Sequence, residues 1–474
     1  MDSVQSSQTN VAKQARVPVA HPMLAMMGML IGGFVGMFSE TSLNIALPQL
    51  MAQLNVTTAT VQWLVTGYML MVGVVLPLSS IITKWFTTRQ VILFALVDFA
   101  VGAVISASAP GFGVLLFGRM IQGIATGLIL PLMFTVAMQI FPPYKLGAAM
   151  GMVGLVIMFA PAVGPTLAGL VLGIASWRWI FWLFVPFLVI ALVFALLSLK
   201  NIAPVTRPKV DFLSIVLSTI GFGSLVMGVS LASDHGWGSL PVIASLVLGI
   251  IVLAWYTHRQ LNMEKPILNL RAFAIPGFRI GASLVMINFG IILSAMYLLP
   301  MYIQKGALVP VALTGIIMFP GGVMNAIVSA VSGRLYDRIG ARVPARLGFI
   351  ISMVGALLLA FTTTSSAIWY IILAHVILMI GAPLAMSPSQ THGLNALTGP
   401  IAADGSAIMN TLQQIVGAIS TAIATSLLGI GQVAYGAGSH AAAFVNGAHY
   451  GFYFTFVLAL VGFLLALRLP KQVQ

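Results

Sequence analysis

Three charged side chains, Glu40, Asp98 and Arg119, interrupt apolar stretches of this chain that otherwise carry no charge. Inside hydrocarbon such a group is costly unless it is protonated, paired or turned toward a polar cavity. A helical rise places Glu40 about 11 Å, Asp98 about 14 Å and Arg119 about 10 Å from the same-side ends of their segments. Those depths allow one charged group on facing helices. Such a group can stabilise ionised states while keeping one carboxyl close to its protonation threshold, which makes a proton-binding element. The other reading is a static pair that fixes helix order. Asn44 stands one turn from Glu40 and Gln122 one turn from Arg119, so each charge has a polar neighbour on its own face. Asp98 has none, and Glu40 is the stronger candidate for titration.

The elements that position these groups are membrane-spanning helices. Of 474 residues, 60% are hydrophobic and only 6% are charged, whereas a soluble domain is about 25% charged. Fourteen segments are long enough to cross about 30 Å of hydrocarbon. The first, from residue 22, has no processing site and reads as a span rather than a signal peptide. Those beginning near 211 and 405 are the most diluted by glycine and polar residues. With the N-terminus cytoplasmic, 18 of the 21 basic residues fall on the internal side, which supports an even count and both termini inside. The net charge of +13 is thereby explained by orientation rather than by nucleic acid. The chain has no cysteine, which excludes disulfides and thiol chemistry. Links are short; the longest run at 259–277, 390–404 and 431–449, the last read as a surface loop or re-entrant element. His440 and His449, without acidic or cysteine partners, do not read as a metal site.

Polar marks also occur in the second half. Asn288, Asn325, His375, Asn410, Gln413 and Gln414 lie in spans and are expected to face protein or a cavity. Asn410 and Gln414, four residues apart, make one polar stripe, and a single His375 reads as a satisfied packing residue. The fifth span holds Gly154, Pro161, Gly164, Pro165 and Gly169, the composition of a kinked, closely packed helix. Residues 77–92 are echoed in place by residues 329–344, as in a transporter of two repeated halves. In the second copy Gly333 is expected to allow close helix approach and Asp337 to pair near a helix end. Arg338 and Arg342 share a face there.

At these residues the sequence resembles the major facilitator superfamily, specifically its fourteen-span drug:proton antiporters, and within them the lincomycin-resistance-like branch of bacterial exporters. "SETSLNIALPQL" is similar to the family's first-helix motif, with Glu40 where an Asp is usual. "LFGRMIQGIATG" matches the fourth-helix motif, whose arginine, here Arg119, the family associates with proton coupling. "APAVGPTLAG" resembles the fifth-helix antiporter motif through Gly164, Pro165 and Gly169, and "SWRWIFW" the entry to the sixth helix. The loop motif departs in the first half, where Ser80, Lys84 and Thr87 stand for Gly, Asp and Gly. It is better kept in the second as Gly333, Asp337, Arg338 and Gly340.

The resemblance implies an all-α polytopic fold of two six-helix bundles plus two central helices. It divides the chain into a cytoplasmic tail (1–21), an N-terminal bundle (22–200), a two-helix insert (201–258), a cytoplasmic linker (259–277), a C-terminal bundle (278–469) and a short tail (470–474). It implies a multi-pass protein of the bacterial cytoplasmic membrane, acting as a monomer on protons and a small molecule, with no cofactor. The expected function is proton-coupled export of amphipathic or cationic drugs by alternating access, with Glu40, Asp98 and Arg119 in coupling and Asn44, Gln122, Asn288, Asn410 and Gln414 toward the cavity. The alternative on the same scaffold is a dedicated metabolite or cation/proton exchanger. A channel lacks its filter, an enzyme lacks a catalytic constellation at membrane depth, and no Walker-type loop serves ATP.

Overall fold

Helix boundaries follow local chemistry. Thr57 caps the second helix by accepting the Thr60 N–H at 3.1 Å, and Thr87 opens the third in a reciprocal capping box with Gln90, each satisfying N–H groups that a helix start leaves free. Proline stands in the first turn of the first, eighth and ninth helices, where its missing N–H costs nothing. The computed structural model describes residues 21–470 apart from 142, 200, 202–204, 206–210, 265, 398–399 and 437–438. Both expected tails therefore lie largely outside the described residues, as do Lys200, Arg207, Lys209 and Lys265.

Fourteen long helices occur among the described residues: α1 (Pro22–Leu54), α2 (Thr58–Trp85), α3 (Thr88–Ala107), α4 (Phe112–Ile140), α5 (Pro143–Ile174), α6 (Arg178–Ser198), α7 (Phe212–His235), α8 (Leu240–Asn262), α9 (Pro276–Met301), α10 (Val311–Ile339), α11 (Arg342–Ala360), α12 (Ile368–Asn395), α13 (Pro400–Ala434) and α14 (His440–Ala466). Thirteen are long and apolar enough to span a membrane. The other, α5, qualifies across a 43° bend between Met152–Pro161 and Val163–Ile174, where Pro161 and Pro165 remove backbone donors. The two diluted segments are full helices. The links expected at 390–404 and 431–449 are mostly helical instead, because polar turns prolong α12, α13 and α14 beyond their apolar windows. His449 meets the Thr362 carbonyl, so its polarity is met inside the protein.

Packing repeats between the first six and last six helices. In the first set α1 packs on α2, α4, α5 and α6, while α3 packs on α4 and α6 and α2 on α4; α9–α14 reproduce the core of this scheme, α9 touching α12, α13 and α14, α11 touching α12 and α14, and α10 touching α12. The sets meet through α5 against α10 and α2 against α13, an exchange of equivalent helices. A Cβ on Gly169 would stand 3.0 Å from the Gly315 backbone, and Thr166 donates to the Gly315 carbonyl at 3.0 Å. α7 and α8 pair with each other, and α7 rests on both α2 and α13.

The one ion pair among the described residues ties α7 to α8. Arg259 donates to Asp211 at 2.9 Å, and Ser214 donates to the same carboxylate. Burial alone would push the Asp211 carboxyl up, but those hydrogen bonds outweigh it and hold it below the ordinary carboxylate range. A depressed folded-state value stabilises above the unfolded value near about 4 and is lost as pH falls through the folded one. The thermal midpoint of Asp211→Asn should therefore lie below that of the unaltered protein at neutral pH, and the difference should shrink below about pH 4. A second expectation concerns α11 and α12, where a Cβ on Gly348 would stand 2.5 Å from the Ala385 nitrogen. Gly348→Val should cost about 1–3 kcal/mol, read as a lower melting temperature in detergent.

Candidate functional site: a one-sided cavity between the halves

Glu40 is 2% exposed in the middle of α1. It is nevertheless part of the wall of a cavity of about 490 Å³ enclosed by α1, α2, α4, α5, α9, α10, α12 and α13. One carboxyl oxygen, Oε2, has no hydrogen-bond partner among the described residues. Gln414 of α13, from the opposite half, lines the same cavity, and Arg119 is close enough to act on the carboxylate through charge.

Arg119 is fully buried behind that wall and is held from several sides. Its Nε donates to the Leu64 carbonyl at 3.1 Å. Its Nη1 donates to Ser39 at 2.5 Å and to Gln122 Oε1 at 2.9 Å. The guanidinium lies 4.2 Å from the Tyr68 ring centroid, a favourable cation–π distance. Tyr68 in turn donates to the Gly36 carbonyl at 2.8 Å and meets Thr126 at 2.7 Å. The arginine is thus a fixed positive charge, joined to Glu40 through the adjacent Ser39 rather than by a direct ion pair.

The expected trio is only partly assembled. Asp98, half-buried on α3, has one oxygen without a partner among the described residues and is not among the hydrogen-bond partners of Arg119. Among the five cavity candidates, Asn410 and Gln414 line the space, while Gln122 belongs to the arginine network and Asn44 and Asn288 are buried outside the lining. His375 lines the cavity with Nδ1 unpartnered, so it is not the satisfied packing residue its isolation suggested. Sequence reasoning passed over Gln390, Ser387 and Ser406. The signal was a stripe at helical spacing, His375, Met379, Pro383, Ser387 and Gln390, on one face of α12.

Among the proposed moving elements, Gly164 abuts Thr41, whose hydroxyl donates to the Pro161 carbonyl at 3.2 Å, and Pro165 lines the cavity. Gly333 does not serve close approach, since a Cβ there meets nothing within 4 Å. Asp337 and Arg338 are exposed in the last turn of α10 and Asp337 makes no ion pair among the described residues; Gly340 ends that helix with φ 73°. Arg342 opens α11 with its Nε unpartnered. Trp177 of the sixth-helix entry is fully buried and donates to Gln53 at 2.8 Å, with Arg178 stacked on its ring.

The cavity is one-sided. Its lining reaches Leu394 near the end of α12 and Ser406 near the start of α13, the face on which α1 begins. At the other end the halves are joined: Gln304 donates to the Ile45 carbonyl at 2.9 Å and Tyr297 to the Thr58 carbonyl at 3.4 Å. Gln304 sits in a π-helical turn, Tyr302–Gly306, that closes α9.

A two-fold repeat of six helices around a central cavity, with a buried arginine on α4, is matched in sequence as well. Residues 29–421 fit the model of the Major Facilitator Superfamily. The chain belongs to that family. It is therefore a polytopic transporter of small molecules across a lipid bilayer and not an enzyme. Its relatives include the lincomycin resistance protein LmrB of Listeria monocytogenes, 44% identical over 95% of this chain and 97% of that one. LmrB of Bacillus subtilis is 47% identical over 86% of each chain. In fold it is similar to a POT family transporter in complex with 5-aminolevulinic acid, with TM-score 0.67, 15% identity and 94% of each chain covered.

The arginine network generates a graded expectation. Tyr68→Phe keeps the ring over the guanidinium and loses two neutral hydrogen bonds, at a cost of about 1–2 kcal/mol. Arg119→Lys cannot supply Nε and Nη1 together and should cost about 2 kcal/mol or more. Thermal unfolding of the two purified variants in detergent should rank them in that order.

Proposed function

We propose that this protein exports amphipathic or cationic compounds from the cytoplasm in exchange for protons, and that Glu40 carries the proton. The observation that supports this most is the placement of Glu40: a buried carboxylate with one oxygen unpartnered, at the wall of a cavity shared by both halves. Proton and cationic cargo then compete for one carboxylate. With Glu40 ionised, the cavity offers a negative charge among Met37, Phe134, Phe289, Met296, Met318 and Met386, and among the described residues no lysine, arginine or other acid lines it. That suits an apolar cation, whose charge is met by Glu40 and whose body is met by deformable side chains. With Glu40 protonated, the attraction is gone and cargo leaves. The two binding equilibria are linked because each occupant raises the cost of the other.

Arg119 supplies the fixed countercharge that lets an ionised carboxylate exist at this depth, and its own partners hold it in place. Asp98 takes no step in this cycle. We assign the open face to the cytoplasm on the distribution of basic links, with both termini there. Residues 22–200 and 278–469 are the rocking halves, and α7 and α8 an insert between them. Gly164, Pro165 and Gly169 form the flexible seam of α5 against α1 and α10. The names of the LmrB relatives, which connect those proteins with lincomycin resistance, agree with a drug as cargo.

In proteoliposomes with pH gradient and voltage imposed separately, an outwardly directed supply of tetraphenylphosphonium should be moved uphill by the pH gradient. Glu40→Gln should lower that gradient-driven movement at least about tenfold and weaken tetraphenylphosphonium binding, while thermal unfolding shows the fold retained. Gradient-driven transport unchanged in Glu40→Gln would remove the role assigned to this residue.

A further inference from the structure

The two halves repeat not only in helix pairing but residue by residue along α4 and α12. Arg119 stands seven residues after Phe112 at the start of α4, and His375 seven after Ile368 at the start of α12. From 115 to 127 the alternation of buried, half-buried and exposed positions recurs at every position from 371 to 383. His375 is therefore the counterpart of Arg119. Tyr68 stands ten residues into α2 and Gly321 ten into α10; Tyr68 stacks on Arg119, and Gly321 lies against the His375 ring, so close that a Cβ there would collide with it. The contacts repeat while the chemistry has changed.

The change is systematic. Gln122, which accepts from Arg119, has Leu378 as its counterpart in the same register. Aligning Leu47-Pro48 of α1 with Leu299-Pro300 of α9 pairs Ser39 with Ile291. That alignment also pairs Thr41, against Gly164, with Leu293, against Gly417. The phenol of Tyr68 is replaced by hydrogen at Gly321. Each side chain that anchors the arginine has thus been exchanged for one that cannot hydrogen-bond. The consequence is visible at His375: it is 3% exposed, its Nδ1 edge is packed against Gly321 with no hydrogen-bond partner among the described residues, and the ring lines the cavity, whereas Arg119, with only Nη2 unpartnered, does not. Asn325 and Met379 flank it on the same wall, with Asn325 Nδ2 3.6 Å from the Met379 sulfur.

We infer that His375 is a cargo-reading residue: its imidazole, with Asn325 beside it, forms a neutral subsite for a hydroxyl or amide group on the transported compound. A buried imidazole without hydrogen-bond partners is destabilising, and a ligand group that can bond to its cavity-facing edge is held in preference to one that cannot. The first half, by contrast, has used the equivalent position for a sealed charge. Glu40 and His375 then read different parts of one molecule, the cationic centre from α1 and a neutral polar group from α12. This rests on the cargo class proposed above.

The test uses two lipophilic cations that differ by one group, tetraphenylphosphonium and (4-hydroxyphenyl)triphenylphosphonium, titrated into the purified full-length protein by calorimetry. The unaltered protein should bind the hydroxylated cation about tenfold more tightly. His375→Phe, which keeps a ring in the wall, and His375→Ala should reduce that preference to within about twofold, and His375→Gln, which retains a donor and an acceptor, should keep most of it. A tenfold preference that survives in His375→Phe or His375→Ala overturns the inference. So does binding of both cations by the unaltered protein without preference, which leaves the cargo class standing. Binding of neither cation overturns the cargo class, and this inference with it.

Discussion

A carboxylate at membrane depth has to be given a reason to stay ionised, and the architecture around Glu40 is arranged about that constraint. The surroundings are largely apolar, so the compensating charge must come from the protein, yet a direct ion pair would leave the carboxylate nothing further to bind. Arg119 meets both demands. It is sealed behind the wall, oriented by Leu64, Ser39 and Gln122 and covered by Tyr68. Glu40, on the cavity side, keeps one oxygen without a partner. In the proposed cycle the packing of α1, α2 and α4 immobilises one charge next to another that has to remain available.

Part of this was legible in the chain. The spacing of apolar segments and the side preference of basic residues give fourteen helices, and the motifs around Glu40, Arg119 and Gly164 carry the family resemblance. Depth arithmetic put Glu40, Asp98 and Arg119 in one group; Arg119 reaches Ser39 beside Glu40, while Asp98 stands outside that network, because distance along a helix axis says nothing about which way a side chain points. Asn44 and Asn288 failed as lining residues for the same reason. Gln390 was missed because it lies in the segment read as a link, where α12 continues past its apolar window, and Ser387 because a single small hydroxyl inside a span carries little signal. Gly333 stands at a motif position yet meets no neighbour; its spacing indicates a family pattern and not a contact.

The internal repeat explains why two halves of the same plan do different work. Helix pairing and burial register are shared, so the fold imposes a buried, bundle-facing position at both 119 and 375. What occupies it is then decided by its neighbours. Where Ser39, Gln122 and Tyr68 surround it, a guanidinium is stable and closed off. Where Ile291 and Leu378 take the counterpart positions and Gly321 lies against the ring, a smaller imidazole lines the cavity instead. Alternating access requires the halves to move as similar bodies, whereas coupling requires one titrating group, and an asymmetric filling of symmetric positions satisfies both.

The account depends on proton and cation excluding one another at Glu40, and proton release measures this without a membrane. Purified protein in a lightly buffered solution with a pH-indicator dye is mixed with saturating tetraphenylphosphonium near the pH at which the carboxyl is half-protonated. The unaltered protein should release a substantial fraction of one proton, up to about one, for each cation bound. Glu40→Gln should release none while its arginine network and fold persist. Undiminished release from Glu40→Gln, or cation binding to the unaltered protein with no release at any pH, would contradict the account.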